Sequence, residues 1–186
     1  MTDDFTLDPP SAGRKAIGSH HCAVMASDTW LTPPEIVRGL GSFDLDPCCP
    51  PDMPWRTAAR MLTRADNGLR APWAGRVWLN PPYSRQAVTW LRRLASHGEG
   101  TALVFARTET SWFVECVWQR ASAVFFLHGR VNFHLADGRR SAANAGAPSV
   151  LVAYGAVDAE RLRAFEAWPG TFFNLPAEPS AIRVKT

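Results

Sequence analysis

Apolar and polar positions alternate along this chain in two rhythms, and the switches between them lay out its elements. In TWLTPPEIVRGL, Ile36, Val37 and Leu40 recur at helical spacing behind Pro33 and Pro34, which suit a first helical turn. Thr32 is the expected N-cap of this helix and Gly41 its stop. SFDLDPCC predicts a short strand, with Phe43 and Leu45 sharing one face and Pro47 ending it. Residues 50–75 hold a short amphipathic piece from Trp55 to Leu62 and then the loop RADNGLRAPWAG. RVWLN reads as a buried strand. QAVTWLRRLAS follows as a helix, with Val88, Leu91 and Leu94 as its buried stripe. TALVFA is another strand, SWFVECVWQRA a helix, ASAVFFLHG a strand with a continuous apolar run, and SVLVAYG the final strand.

Strands alternating with helices predict an α/β domain with a mostly parallel sheet and helices on both faces. Its strands are those before Pro47, Pro81, Arg107, His128 and Gly155. Residues 1–27, rich in Pro, Ser, Gly and charge, read as a flexible arm. Residues 28–176 are then the folded domain and 177–186 a tail. The segment HLADGRRSAANAGAP between the last two of these strands is long and polar, as functional loops often are.

At 186 residues the chain is long enough to bury a core, and its hydrophobic share of 46% is a globular one. No apolar run approaches the roughly 20 residues that cross a bilayer. The opening MTDDFTLDPP, acidic and broken by prolines, is unlike a signal peptide, so a cytoplasmic location is expected. Cys22, Cys48, Cys49 and Cys116 lack zinc spacing, and no metal is expected. His128 and His134 read as satisfied loop histidines. The formal charge is +3, and Lys15 and Lys185 are the only lysines. Arginine therefore carries the positive charge, and its guanidinium suits phosphate and base edges.

The stretch VWLNPPYS carries the chemistry. Val77, Trp78 and Leu79 want a sheet, whereas Pro81 and Pro82 cannot donate to a ladder, so the strand must stop at Asn80. The Asn80 amide, the Pro81 carbonyl and the Tyr83 ring then project from the end of a strand, where open α/β sheets bind ligands. An exocyclic amine on a nucleobase is a poor nucleophile because its lone pair is delocalised into the ring. Two acceptors holding its two hydrogens draw that lone pair out of conjugation, and the Asn80 side-chain oxygen with the Pro81 carbonyl form such a pair. Consecutive prolines stiffen the acceptor in advance. Tyr83 offers a ring on which an extruded base stacks, worth about 1–3 kcal/mol.

NPPY after an apolar strand resembles motif IV of the S-adenosylmethionine-dependent amino-methyltransferases. TWLTPPEIVRGL is similar to their motif X and FDLDPCC to the opening of motif I. RADNGLRAPWAGRVWLNPPYS, with ARTETSWF and FLHGRVNF, resembles the small phage-type DNA N6-adenine methyltransferases related to Dam. The resemblance spans roughly residues 28–154 and implies a compact Rossmann-like methyltransferase fold. It implies S-adenosylmethionine as cofactor, DNA as partner, and direct methyl transfer to the N6 amine of a flipped adenine. Site roles follow from it residue by residue. Trp30, Thr32, Pro33, Asp46, Pro47 and Asp66, with Asn80, border the cofactor, whereas Asn80, Pro81, Pro82 and Tyr83 hold and stack the adenine. Ser84, Arg107, Thr108, Arg130, Arg139 and Arg140 are the implied DNA contacts, and Glu109 lies beside them. No glycine-rich turn follows Pro47, Cys48 and Cys49 standing there instead, and no acidic residue marks the end of a second strand, which is expected to be degenerate or absent. The alternatives are a methyltransferase acting on another amine, cytosine N4 or a protein amide, and an inactive DNA-binding protein of the same fold.

Overall fold

The computed structural model describes residues 30–82, 86–142 and 145–176. The expected arm and tail lie outside the described residues, as do Tyr83 and Ser84. Among the described residues seven strands form one mixed α/β sheet in the order β2-β1-β3-β4-β6-β5-β7. They are β1 (Leu45–Asp46), β2 (Arg60–Met61), β3 (Val77–Leu79), β4 (Gly100–Phe105), β5 (Ala123–Leu127), β6 (Ser149–Tyr154) and β7 (Gly170–Asn174). The helices are α1 (Pro34–Gly39), α2 (Ala87–His97), α3 (Ser111–Phe113), which continues as a π-helical stretch Val114–Trp118, and α4 (Ala156–Arg163).

All five strands read from the sequence are present, and β2, β7 and α4 go beyond it. β2 is two residues long and its side chains are not buried, so it carries no apolar signature. β7 is a largely exposed strand beside β5, and SVLVAYG is therefore not the last strand. The sheet is also not mostly parallel. Pairings β1–β2, β1–β3 and β3–β4 are parallel, whereas β4–β6, β5–β6 and β5–β7 are antiparallel and longer. β6 follows β5 with no helix between them among the described residues, so it returns antiparallel, yet it inserts between β5 and β4.

Side chains alternate across the sheet into two apolar layers. One holds Trp78, Leu103, Leu151 and Ala153 with α1, the other Val77, Leu79, Val104, Val150 and Val152 with α2. Phe43 and Leu45 fall in different layers, against the expectation that they share a face. The cause is a slip in the ladder: the Asp44 and Leu45 amides both donate to the Arg76 carbonyl, at 2.8 and 3.2 Å, so two residues occupy one pairing step. Thr32 is likewise not the N-cap of α1. Pro33 takes that position without a side-chain cap, and the Thr32 hydroxyl is buried elsewhere. Gly41 does follow the helix end, at φ +81°, with its amide on the Arg38 carbonyl.

Candidate active site

β2 lies on one side of β1 and β3 on the other, so the connections leaving the carboxyl ends of β1 and β3 diverge. Such a divergence opens a crevice at the carboxyl edge, the usual ligand position in an open α/β sheet. Asp46 closes β1 at this edge and Asn80 follows β3. The two residues are joined through Cys48, whose amide donates to Asp46 Oδ1 at 3.1 Å and whose thiol donates to the Asn80 carbonyl at 3.4 Å.

Asp46 is buried, and Thr57 Oγ1 donates to its Oδ2 at 2.5 Å. Burial raises its carboxyl from an ordinary 3.8 to about 6, against the opposing pull of the Thr57 and Cys48 hydrogen bonds. Burial also pushes the Cys48 thiol well above its usual range, with the Asp46 charge adding to the shift, so that Cys48 serves as a donor and not as a thiolate. Gly68, in the DNGL loop, lies against the backbone that follows β1. A Cβ there would run into the Pro47 carbonyl.

The Asn80 side chain is fixed at one end only. Its Nδ2 donates to the Trp30 carbonyl at 2.9 Å, while Oδ1 is buried without a partner. Trp30 is in turn held by its neighbour: Leu31 and His134 exchange both backbone hydrogen bonds at 2.9 Å. His134 belongs to a hairpin that pairs it with Arg140 and turns at Gly138. Its Nδ1 is buried and unpartnered, so His134 is not the satisfied histidine expected, whereas His128 meets the Thr171 hydroxyl at 2.8 Å.

Other expected site residues fall around this edge. Pro33 precedes α1, Pro81 is buried beside Asn80, and Pro82 is half-buried. Asp66 is exposed, with Oδ2 accepting from the Thr63 amide and hydroxyl at 2.8 and 2.9 Å. It sits in a 3₁₀ turn just after β2. Arg107, Thr108 and Glu109 follow β4 and Arg130 follows β5, all exposed. Because β3, β4 and β5 run in one direction, these residues share the edge of Asn80. Arg139 and Arg140 are exposed on the hairpin, and Arg139 pairs with Asp137 at 2.7 Å. Cys48, Thr57 and the His134 strap escaped sequence reasoning. A doubled cysteine after a strand is the only signal among them, since the other two act through tertiary contacts.

Among the described residues six buried side-chain polar atoms besides Asn80 Oδ1 have no protein partner: Trp30 Nε1, Thr32 Oγ1, Trp55 Nε1, Trp90 Nε1, His134 Nδ1 and Ser149 Oγ. A buried polar group without a partner is costly, and those of Trp30, Thr32, Asn80 and Ser149 fall at the carboxyl edge, where a polar ligand would meet them. Among the described residues no group of His, Cys, Asp and Glu could hold a metal ion.

The carboxyl edge of this mixed α/β sheet thus gathers a buried carboxylate with buried acceptors and donors that have no protein partner. The family described as DNA N-6-adenine-methyltransferase (Dam) matches residues 19–165, and the chain belongs to that family. The DNA N-6-adenine-methyltransferase of Haemophilus phage HP1 (strain HP1c1) is 30% identical over 117 residues, covering 57% of this chain and 66% of that protein. The protein of the same description from Escherichia phage T1 is 27% identical over 107 residues, covering 53% of this chain and 44% of that one. The chain thus spans a little under two thirds of the first relative and under half of the second. No solved structure gives a significant match.

Proposed function

We propose that this chain transfers a methyl group from S-adenosylmethionine to the N6 amine of adenine in DNA, on a Rossmann-like methyltransferase core. The observation that carries the reading is the half-satisfied amide of Asn80: its nitrogen is spent on Trp30, so its buried oxygen must face a donor that the protein lacks. An exocyclic amine is such a donor.

S-adenosylmethionine supplies a methyl activated on a sulfonium when it is bound. The residues present fit it: Asp46 offers a buried carboxylate to an ammonium group, and Trp30 and Thr32 offer an unpaired N–H and hydroxyl to its polar atoms. Asp66, in the 3₁₀ turn after β2, would approach the adenine ring of the cofactor. Asn80 Oδ1 and the Pro81 carbonyl accept the two hydrogens of the target amine, drawing its lone pair toward the reacting methyl. The fixed amide and the paired prolines need no reorganisation as charge develops on that nitrogen. Tyr83 stacks the base. Arg107, Thr108 and Arg130, with Ser84, Arg139 and Arg140, face phosphate, and their contacts offset the unpairing of the flipped nucleotide, a few kcal/mol. Proton loss from the amine follows methyl transfer, and solvent at the open edge receives it.

The test is transfer of tritiated methyl from S-adenosylmethionine to unmethylated DNA by the purified protein, with digestion to nucleosides. Label in N6-methyladenine is expected. Label confined to cytosine, or none with folded protein, would sink the reading. Among the described residues no helix is long and apolar enough to cross a membrane.

A further inference from the structure

Ser149 opens β6 directly opposite Phe105, the last residue of β4. Its side chain is 1% exposed and its Oγ is buried with no hydrogen-bond partner. Residues two apart in a strand share a face, so Ser149 lies on the side of Leu151 and Ala153, the layer that also holds Trp78 and Leu103. The same alternation carries Asn80 to the face of Trp78, and its bond to Trp30, which packs on that layer, agrees. Two unpaired side-chain oxygens, Asn80 Oδ1 and Ser149 Oγ, therefore stand on one face and at one edge of the sheet.

Their separation has a direction. β6 is two strands from β3, on the side away from β1, so about 10 Å of sheet lies between Asn80 and Ser149 across the strands. The registers carry Ser149, opposite Phe105, two residues further along the edge than Asn80, which is level with Leu103. Asp46 lies on the opposite side of β3. Ser149 is thus placed beyond the target-base position and not beside the cofactor. Phe105, half-buried on the intervening strand and on the same face, lies between them. A purine ring with its amine on Asn80, laid over this strand toward β6, would present there ring nitrogens that are acceptors only.

Resting on the proposed adenine N6 chemistry, we propose that the Ser149 hydroxyl donates a hydrogen bond to a ring nitrogen of the flipped target adenine, making it a contact that selects and positions the base. The unpaired hydroxyl is then a cost carried by the free protein and recovered only with the base in place.

Ser149→Ala separates this role from a structural one. The expected result is a melting temperature equal to or above wild type, unchanged affinity for S-adenosylmethionine, and methyl transfer to adenine in DNA lowered about ten- to a hundred-fold in kcat/KM, as for loss of one buried hydrogen bond. Ser149→Cys, close in volume with a weak donor, should fall between the two. Wild-type transfer by Ser149→Ala would overturn the assignment. So would a lowered melting temperature with weakened cofactor binding, which would mark Ser149 as a packing residue. A wild-type protein that binds S-adenosylmethionine but labels no adenine would remove the parent reading itself, which is a different result from an active wild type indifferent to the substitution.

Discussion

The two ends of the sheet are built on opposite principles. At the amino end, Arg76 precedes β3 and reaches Asp158 of α4 with two nitrogens, at 2.8 to 3.1 Å. Its remaining donors go to the Ser42 and Leu40 carbonyls, and its guanidinium lies over the Phe43 ring at 4.1 Å. Thr101, on β4, adds a hydroxyl to Asp158 at 2.7 Å, and the Asp44 carboxylate takes the Arg76 amide at 2.7 Å. Four segments are tied there and the buried charges are paired. At the carboxyl end, the buried groups of Trp30, Thr32, Asn80 and Ser149 lack partners, and a carboxyl is held in an environment that raises its affinity for a proton. One end of the sheet is satisfied by its own residues, and the other is left for something else to satisfy.

The contrast breaks first at the amino end. Asp158→Ala leaves Arg76, whose side chain is only 11% exposed, without its anion, and should cost about 3–5 kcal/mol of stability in urea unfolding. Its effect on transfer should appear only through loss of folded protein. If the remaining folded variant were inactive, the two ends would not be independent. At the carboxyl end Asn80→Ala should do the reverse, lowering methyl transfer about 10²- to 10³-fold while stability changes by about 1 kcal/mol and S-adenosylmethionine binding persists. Turnover at wild-type rate would end the assignment of Asn80.

Asp46 gives a smaller effect, with a defined sign. Its carboxyl titrates near 6 in the folded chain against an ordinary 3.8, so the folded state holds the proton more tightly than the unfolded one. Its contribution to stability is therefore largest below about pH 4, declines as pH rises toward 6, and stays lower above, a total change of about 3 kcal/mol. Asp46→Asn should remove that slope. Urea midpoints at pH 4, 6 and 8 should show the variant gaining on wild type as pH rises, while its affinity for S-adenosylmethionine falls. Parallel pH profiles for the two proteins would place the titration elsewhere.

Most of the carboxyl edge was legible because turn chemistry and apolar runs are local. Pro47 and Pro81 mark where β1 and β3 stop, and Val77 to Leu79 could be nothing but a buried strand. What escaped depends on distant residues. β2 is recognisable only by its pairing with β1, and the reversed β6 looks the same in sequence as a parallel strand would. Thr32 has the composition of a cap, yet Pro33 occupies the cap position, and only the fold reveals the hydroxyl as an unpaired donor at the ligand edge. Thr57 carries no signal at all until the chain brings it to Asp46.

The reciprocal hydrogen bonds between Leu31 and His134 bear on the order in which the molecule can be completed. They close a loop of about a hundred residues, and the entropy of such a closure is repaid only after intervening strands have formed. Strands β1 to β4 are contiguous in both chain and sheet, whereas β5 must wait for β6 to fill the place between them. A chain growing from its amino terminus can thus assemble the half that carries Asp46 and Asn80 before residue 134 has been made. Trp30, and with it the orientation of the Asn80 amide, gains its anchor only afterwards.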